Sequence, residues 1–221
     1  MKHPDMKVIQ TEDGSHSLYR ADINETYHSF HGARGESLHV FIAHGLKTLP
    51  HPTLRIFEVG MGTGLNVFLS ALFATGYQRS VEMVTIEPIP VKKEIYTQLN
   101  FGHTDSESKL LNSIHEGPWE DSYLLQPNFS LLKKNCTLEA FQWEEKGFDI
   151  IYFDAFAPSK QPEVWSMDNL QKCFDLLNPL GILTTYCAQG QFKRNLKTIG
   201  FEVESLPGAM GKKEMVRAFK P

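Results

Sequence analysis

The sequence has no long hydrophobic run and few cysteines. Among its 221 residues, no apolar stretch approaches the roughly 20 residues needed to cross a bilayer, and the first residues lack the apolar core of a secretion signal. Cys136, Cys173 and Cys187 lie far apart and form no C-x-x-C pair, which is a poor framework for disulfides or a metal site. We therefore expect a cytoplasmic protein with no membrane attachment and no bound metal.

Positive charge is also scarce. The chain has 22 Lys and Arg against 26 Asp and Glu, which gives a net charge of −4. This balance argues against bulk electrostatic binding of nucleic acid, although it is compatible with a local basic face. The length suits one well-buried core and is short for two ordinary domains.

The chain is rich in alternating strand and helix patterns. Asp13-Gly14 between two alternating segments predicts an N-terminal β-hairpin, and a helix is expected over 36–46. The later strands are expected at 54–59, 81–86, 129–132, 148–153 and 181–186, and the later helices at 66–75, 91–99, 137–143, 167–177 and 191–199, with a short helical insert within 102–122. The last apolar segments, 201–206 and 214–219, follow each other without a helix and predict an antiparallel edge.

Strands separated by helices predict a parallel sheet with right-handed crossovers. Combined with an antiparallel edge, the pattern is typical of a class I S-adenosylmethionine-dependent methyltransferase, an α/β fold with a Rossmann-like seven-stranded sheet. We expect an extension over 1–50, containing the hairpin and helix, and the Rossmann-like domain over 51–221.

The strand expected at 54–59 leads into a glycine turn. Gly60, Gly62 and Gly64 remove Cβ atoms at the carboxyl end of that strand, where open α/β sheets bind ligands. A dinucleotide fingerprint would need glycine at position 65, and the chain has Leu65 there. The turn therefore favours a nucleoside cofactor other than NAD, although it is also compatible with a tight turn that binds nothing.

Two further strand ends extend this candidate site. Glu87 ends the second strand at the offset where an acid accepts hydrogen bonds from ribose hydroxyls, and a solvated strand-end acid is the alternative. After the third strand, Asn135 and Cys136 are candidates for the adenine contact, because a carboxamide both donates and accepts. An ordinary Asn in a turn is the alternative there.

A lone carboxylate, Asp154, follows the apolar strand Ile150-Ile151-Tyr152-Phe153. Beside a cofactor at the neighbouring strand end, it can face a cationic substrate. Methyl transfer to an amine develops positive charge on nitrogen, and a fixed carboxylate would orient the amine and stabilise that charge. A strand-end acid that only caps a loop is the alternative.

Longer segments carry a resemblance to a known family. They are 58–66 (EVGMGTGLN), 153–165 (FDAFAPSKQPEVW), 208–215 (GAMGKKEM) and Glu25-Thr26-Tyr27-His28-Ser29 with Glu36 downstream. From residue 13 onward the chain resembles the methyltransferase part of the bifunctional bacterial enzymes (MnmC type) that complete 5-methylaminomethyl-2-thiouridine at the tRNA wobble position.

The resemblance implies methylation of 5-aminomethyl-2-thiouridine in tRNA by S-adenosylmethionine, with Asp154 at the substrate amine. The cofactor contacts that it implies, taken with those above, are Glu58, Gly60, Gly62, Gly64, Asn66, Glu87, Asn135, Cys136, Tyr27, Ser29 and Glu36. The candidate substrate contacts are Phe156, Pro158, Lys160, Trp165, Lys212 and Lys213. The family's bifunctional members also carry a flavin oxidase that 221 residues have no room for, so we expect either a separate enzyme or a route that delivers the aminomethyl form directly.

Two other functions remain open. A polyamine aminopropyltransferase shares the fold, a related cofactor and an acid aimed at an amine, but the chain has Ser159-Lys160 where a second substrate-binding acid would favour that activity. A catalytically inactive RNA- or cofactor-binding module is the other alternative, and the presence of both Asp154 and the full glycine turn argues against it.

Overall fold

The protein forms two sheets, a small one from the N-terminal residues and a large central one. The computed structural model describes residues 4–145, 147–209 and 211–221. The strands are β1 Met6–Gln10, β2 His16–Arg20, β3 Glu25–Thr26, β4 Thr53–Val59, β5 Ser80–Ile86, β6 Tyr123–Gln126, β7 Phe129–Lys134, β8 Phe148–Phe153, β9 Leu177–Thr185, β10 Glu202–Pro207 and β11 Glu214–Phe219. The α-helices are α1 Ala33–Ser37, α2 Leu65–Gly76, α3 Lys93–Tyr96, α4 Asp105–Glu116, α5 Met167–Leu176 and α6 Gly190–Ile199.

The central sheet has the expected parallel core. Its strand order is β10-β11-β9-β8-β4-β5-β7-β6, with β4, β5, β7, β8 and β9 parallel and the β10–β11 pair antiparallel at one edge. The chain winds from β4 outward through β5 to β7 and then returns to β8 on the other side of β4. The crevice at this reversal, at the carboxyl ends of the strands, is where doubly wound sheets bind ligands.

The predicted fold class is confirmed, with one strand more than the seven expected. Strand β6 pairs antiparallel with β7 at the second edge, through a register shift between Leu124 and Gln126. The four-residue strand has no regular alternation of buried and exposed side chains, and Leu124 is exposed. The sequence therefore gave no period-2 signal for it.

The helix expected over 137–143 is wrong. This stretch contains a turn at 138–140 and no helix, although Leu138 and Phe141 are buried as helical spacing suggested. The Lys172 ammonium donates to the carbonyl oxygens of Leu138, Glu139 and Phe141 at 2.9, 2.7 and 3.1 Å. These carbonyls are bound by a side chain from α5, so they are not the acceptors of a helical ladder.

The N-terminal residues pack into the core of the central sheet. The expected hairpin forms from β1 and β2, with Gln10 opposite His16, and Met6 and Leu18 lie in the same hydrophobic cluster as Leu65 and Phe68 of α2. The expected helix over 36–46 begins earlier, as α1, and continues as a π-helix over Leu38–Ala43. This packing brings residues 25–36 over the carboxyl ends of β4 and β8.

Candidate active site

A cavity of about 500 Å³ lies at the carboxyl ends of β4, β5 and β8. Its walls come from the glycine turn after β4, the residues after β5 and β8, the N-terminal segment 25–31 and Lys212. The expected site residues that line it are Tyr27, Ser29, Glu36, Gly60, Gly62, Asn66, Glu87, Asp154, Phe156 and Lys212. The fold thus collects side chains from distant parts of the sequence around one space of the size that small ligands occupy.

The glycine turn needs its glycines for backbone conformation and for space. Gly60, Gly62 and Gly64 have φ of +91°, +49° and +74°, a region that residues with a Cβ rarely adopt. A Cβ on Gly60 would lie 2.6 Å from the carbonyl oxygen of Asp154, and one on Gly62 would lie 2.8 Å from the Tyr27 ring. The turn is therefore held in close contact with the acidic loop after β8 and with the N-terminal segment.

Glu87 is fixed at the base of the cavity by the backbone. Its two carboxylate oxygens accept from the N–H groups of Gly62 (3.0 Å) and Ile89 (2.9 Å). Burial raises the pKa of Glu87, while the two N–H donors and the Arg20 charge oppose that rise. Each oxygen keeps acceptor capacity for a second donor, such as a hydroxyl of a bound ligand.

The N-terminal segment closes the cavity with aromatic and neutral polar groups. The Tyr27 ring meets Phe156 edge to face, with centroids 4.9 Å apart. The buried His28 ring lies 3.1 Å from Ser17 Oγ and 3.3 Å from Thr63 Oγ1, and burial lowers its pKa to about 4. His28 is thus uncharged at neutral pH and joins the hairpin to the glycine turn.

Asp154 follows the last residue of β8 and lines the cavity. Its Oδ2 accepts from Asn66 Nδ2 at 2.8 Å, and its backbone N–H donates to Val59 O at 3.0 Å. Burial is the main cause that raises the pKa of Asp154 to about 7; the Glu36 charge adds to the rise, whereas the Asn66 hydrogen bond and Lys212 oppose it. The group therefore changes charge near neutral pH, as functional carboxyls often do.

A second acid and a lysine lie beside Asp154. Glu36 from α1 accepts from the Ser29 N–H at 2.9 Å and pairs with Lys212, from the loop between β10 and β11. The Lys212 ammonium also lies 4.2 Å from the centre of the Tyr186 ring. Glu36 and the Tyr186 ring thus hold the ammonium group of Lys212 in this part of the cavity. An acid beside an aromatic ring can bind the ammonium form of another amine in the same way.

Eight expected site residues do not line the cavity. They are Glu58, Gly64, Asn135, Cys136, Pro158, Lys160, Trp165 and Lys213. Glu58 is fully buried within the sheet, where it accepts from Thr85 Oγ1 at 2.6 Å. Asn135 donates to the carbonyl oxygen of Glu87 at 2.8 Å and so supports the strand end.

Lys160 and Trp165 anchor the loop after β8 through hydrogen bonds to backbone carbonyl oxygens. The Lys160 ammonium donates to the carbonyl oxygens of Ile23 and Asn24 at 3.0 and 3.1 Å. The Trp165 indole N–H donates to the Phe156 carbonyl oxygen at 2.8 Å. Both side chains therefore tie the loop after β8 to its surroundings and do not face the cavity.

Sequence reasoning missed several lining residues. Residues 137–139 line the cavity just after Asn135 and Cys136, and Tyr186 follows the last residue of β9. The strand-end rule that identified Glu87 and Asp154 would also have found Tyr186. Arg20 and His28 carried no comparable signal, because their contact with the site arises only from the folding of the N-terminal segment over the sheet.

The described residues contain neither a group of three or more His, Cys, Asp and Glu side chains that could hold a metal ion nor a helix long and apolar enough to cross a membrane.

Comparison with known proteins identifies the cofactor class. Residues 128–221 match the model of a family described as S-adenosyl-L-methionine-dependent methyltransferase. The chain is 32% identical to the tRNA 5-methylaminomethyl-2-thiouridine biosynthesis bifunctional protein MnmC of Cupriavidus necator, over 92% of this chain and 33% of that protein. It is 28% identical to the protein of the same name from Campylobacter hominis, over 91% of this chain and 31% of that protein. The chain thus spans about a third of the length of these relatives.

Solved structures support the fold. MNMC2 from Aquifex aeolicus superposes with a TM-score of 0.80 at 24% identity, covering 98% of this chain and 70% of that chain. Spermidine synthase from Thermotoga maritima superposes with a TM-score of 0.60 at 12% identity, covering 100% of this chain and 70% of that chain. At these identities the likeness concerns the fold alone.

The cavity fits the cofactor that the family uses. A turn that leaves no room for a Cβ at Gly60 or Gly62 lets a ligand approach the backbone, and Glu87 presents acceptor capacity suited to ribose hydroxyls. The backbone of Asp154 lies against the same turn, because a Cβ on Gly60 would be 2.6 Å from its carbonyl oxygen, and Asp154 also lines the cavity. The chain has the class I methyltransferase fold, its residues 128–221 match the S-adenosyl-L-methionine-dependent methyltransferase family, and about nine tenths of its length is similar to part of the MnmC proteins.

Proposed function

We propose that the protein transfers a methyl group from S-adenosylmethionine to the amine of 5-aminomethyl-2-thiouridine at the tRNA wobble position, giving 5-methylaminomethyl-2-thiouridine. The observation that carries the proposal is a half-buried carboxylate, Asp154, which lines the cavity and whose backbone abuts the glycine turn at Gly60. The MnmC relatives are named for biosynthesis of 5-methylaminomethyl-2-thiouridine in tRNA, and this supports the choice of acceptor.

The cofactor side of the proposed site consists of Gly60, Gly62, Glu87 and the N-terminal segment around Tyr27. Bound S-adenosylmethionine supplies an electrophilic methyl group on a sulfonium. The glycine turn contributes close backbone approach, and Glu87 accepts hydrogen bonds from the ribose. Residues 137–139, which line the cavity, are the better candidates for the base contact than Asn135 and Cys136.

The acceptor side consists of Asp154, with Glu36, Tyr186 and Lys212 around it. An alkyl amine with a pKa near ~10.4 is mostly protonated at neutral pH and has no lone pair to attack with. The amine therefore loses a proton to solvent before it attacks, and Asp154, whose pKa is raised to about 7, is ionised when it accepts a hydrogen bond from the neutral amine. Once methyl transfer begins, its negative charge stabilises the cation that forms on nitrogen.

The proposed reaction places the protein where tRNA is modified, in the cytoplasm. It also requires another enzyme activity that supplies the aminomethyl nucleoside. We propose the division into an extension, 1–50, that closes the cavity and a Rossmann-like domain, 51–221, that carries the strand ends.

The test is methylation of defined tRNAs by the purified protein. Three tRNAs are compared, bearing 5-aminomethyl-2-thiouridine, 5-carboxymethylaminomethyl-2-thiouridine or unmodified uridine at the wobble position, each with labelled S-adenosylmethionine. We expect label only in the first tRNA and the methylaminomethyl nucleoside after digestion and mass spectrometry.

The alternatives give different results. Transfer of an aminopropyl group from decarboxylated S-adenosylmethionine to a diamine, with no label in tRNA, would identify a polyamine aminopropyltransferase. Binding of the donor without transfer to any of the three tRNAs would contradict the proposed function and favour a binding module.

A further inference from the structure

A buried polar cluster extends from Asn66, which lines the cavity beside Asp154, into the central sheet. Thr85 on β5 donates to Oε2 of Glu58 on β4 at 2.6 Å. Asn66 in the first turn of α2 donates to Asp154 Oδ2 at 2.8 Å, and its amide also acts on the Glu58 carboxyl. The cluster therefore connects a carboxyl inside the sheet to the carboxylate at the active site through one amide group.

Two buried oxygens in this cluster, Glu58 Oε1 and Asn66 Oδ1, have no hydrogen-bond partner among the residues that the structure describes. An ionised Glu58 can only accept, so its second oxygen would stay unpaired in a site with no exposure to solvent. A buried carboxylate left in that state is very unfavourable. A proton on Glu58 makes the group a donor, and Asn66 Oδ1 is the buried acceptor of the cluster that lacks one.

The charges around Glu58 also favour the neutral form. The charged groups that act on it are the carboxyls of Asp154 and Glu87, and both oppose a further negative charge. The Tyr152 hydroxyl and Ser70 Oγ are hydrogen-bonded at 3.2 Å. Burial raises the pKa of Tyr152, so this neighbour of Glu58 is neutral. Burial first, and then the Asp154 charge, raise the pKa of Glu58 to about 8, while hydrogen bonds from Thr85 and Asn66 oppose the rise.

We propose that Glu58 works as a neutral carboxylic acid, a positioning residue that fixes the amide of Asn66 so that its NH₂ group points at Asp154. The negative charge of the cluster then resides on Asp154, at the cavity wall, and the buried carboxyl carries the proton. This role differs from the cofactor contact that the sequence suggested for Glu58, which lies outside the cavity. The part of the test that measures activity rests on the proposed methyl transfer.

The first experiment needs no substrate. Protein labelled with ¹³C at the glutamate carboxyl is titrated by NMR, and the Glu58 signal is assigned by its loss in Glu58→Gln. We expect the Glu58 carboxyl to remain protonated up to pH 7. Titration of that signal near the ordinary value of about 4.3 would overturn the proposal, whatever the reaction of the enzyme.

The second experiment compares Glu58→Gln with Glu58→Leu. Glutamine is neutral and can still accept from Thr85 and donate to Asn66, whereas leucine leaves Asn66 Oδ1 without a donor. We expect single-turnover methylation to fall roughly tenfold or more in Glu58→Leu, the effect of one unpaired buried group, and several times less in Glu58→Gln. The pH at which activity rises should increase in Glu58→Leu, because Asp154 loses a fixed donor.

Affinity for S-adenosylmethionine separates positioning from cofactor binding. We expect similar affinity in wild type and Glu58→Gln, measured by calorimetry. A tenfold loss of donor affinity in Glu58→Gln, or equal losses of turnover in the two variants, would show that the Glu58 charge is needed and would overturn the proposal. If Glu58→Leu fails to fold, the NMR titration and the Glu58→Gln measurements still decide.

Discussion

Asp154 shows how burial sets the chemistry of one residue. The carboxyl lies at a strand end, within the cavity, with a single side-chain donor from Asn66. Burial raises its pKa to about 7, with Glu36 and Lys212 acting in opposite directions. With a pKa of about 7, the carboxyl is only partly ionised at neutral pH, and in the proposed reaction a bound amine would favour its ionised form.

This pKa predicts the pH dependence of the reaction. The amine is oriented by the ionised carboxylate, which is present above the pKa and lost as the pH falls through it. Below pH about 7 we expect kcat/KM for the tRNA acceptor to fall about tenfold more per pH unit in wild type than in Asp154→Asn, because protonation of the substrate amine lowers both and only wild type also loses the Asp154 charge. A profile that is flat from pH 7 to pH 5, or the same acidic limb in Asp154→Asn, would mean that another group causes the fall.

Glu87 makes a second prediction at the residue scale. Glu87→Gln keeps the shape but removes the charge, and a hydrogen bond to a charged group contributes about 1.5–3 kcal/mol. Donor affinity should fall roughly ten- to hundredfold in calorimetry, since each 1.4 kcal/mol is about tenfold. Glu82→Gln, on the same strand but exposed and paired with Arg55, is the matched control and should bind the donor normally. A loss below about twofold in Glu87→Gln would remove Glu87 from the ribose contact.

Among the elements, the strands of the central sheet were the most predictable. Apolar runs bounded by Gly, Pro or an acid marked β4, β5 and β8, because these strands are covered on both faces. The edge strand β6 and the turn at 138–140 were not predictable, since the first has a half-exposed pattern and the second depends on Lys172 from a later helix. Local sequence patterns indicate which side chains are buried. Contacts with distant segments can still change the secondary structure that forms.

A larger side chain in the glycine turn is expected to prevent donor binding. Gly62→Val places a β-branched side chain at φ +49°, with its Cβ 2.8 Å from the Tyr27 ring. We expect loss of donor binding in calorimetry while the fold, followed by circular dichroism, survives. Gly14→Val is the control, because it carries similar backbone strain at φ +82° in the hairpin, away from the cavity. Normal affinity in a folded Gly62→Val protein would refute the role of the turn.

At the scale of the whole molecule, the site depends on the joining of distant segments. The strand-end residues Glu87 and Asp154 could be predicted from local sequence. The contacts among Glu36, Lys212 and Tyr186 could not, because the first two positions are 176 residues apart and meet only in the folded chain. The resemblance to a family indicated Glu36 and Lys212, but not that they pair.

The shared core predicts that the extension contributes to global stability. Leu18 is fully buried in the cluster that includes α2, so Leu18→Ala should lower the free energy of unfolding by about 2–5 kcal/mol in urea titrations. Leu124→Ala, at a position 69% exposed, should change it by less than about 0.5 kcal/mol. An equally small effect at Leu18 would show that the hairpin is not part of the cooperative unit.

The most direct test of the account is single-turnover methylation of tRNA bearing 5-aminomethyl-2-thiouridine by wild type and Asp154→Asn, with donor binding measured in parallel. Asparagine is nearly isosteric but lacks the charge that orients the amine, so we expect the rate to fall by about 10²–10³ while donor affinity changes far less. Asp168→Asn, an exposed position at the start of α5, is the control and should react at the wild-type rate. A wild-type rate in Asp154→Asn would contradict the assignment of Asp154 to the acceptor amine.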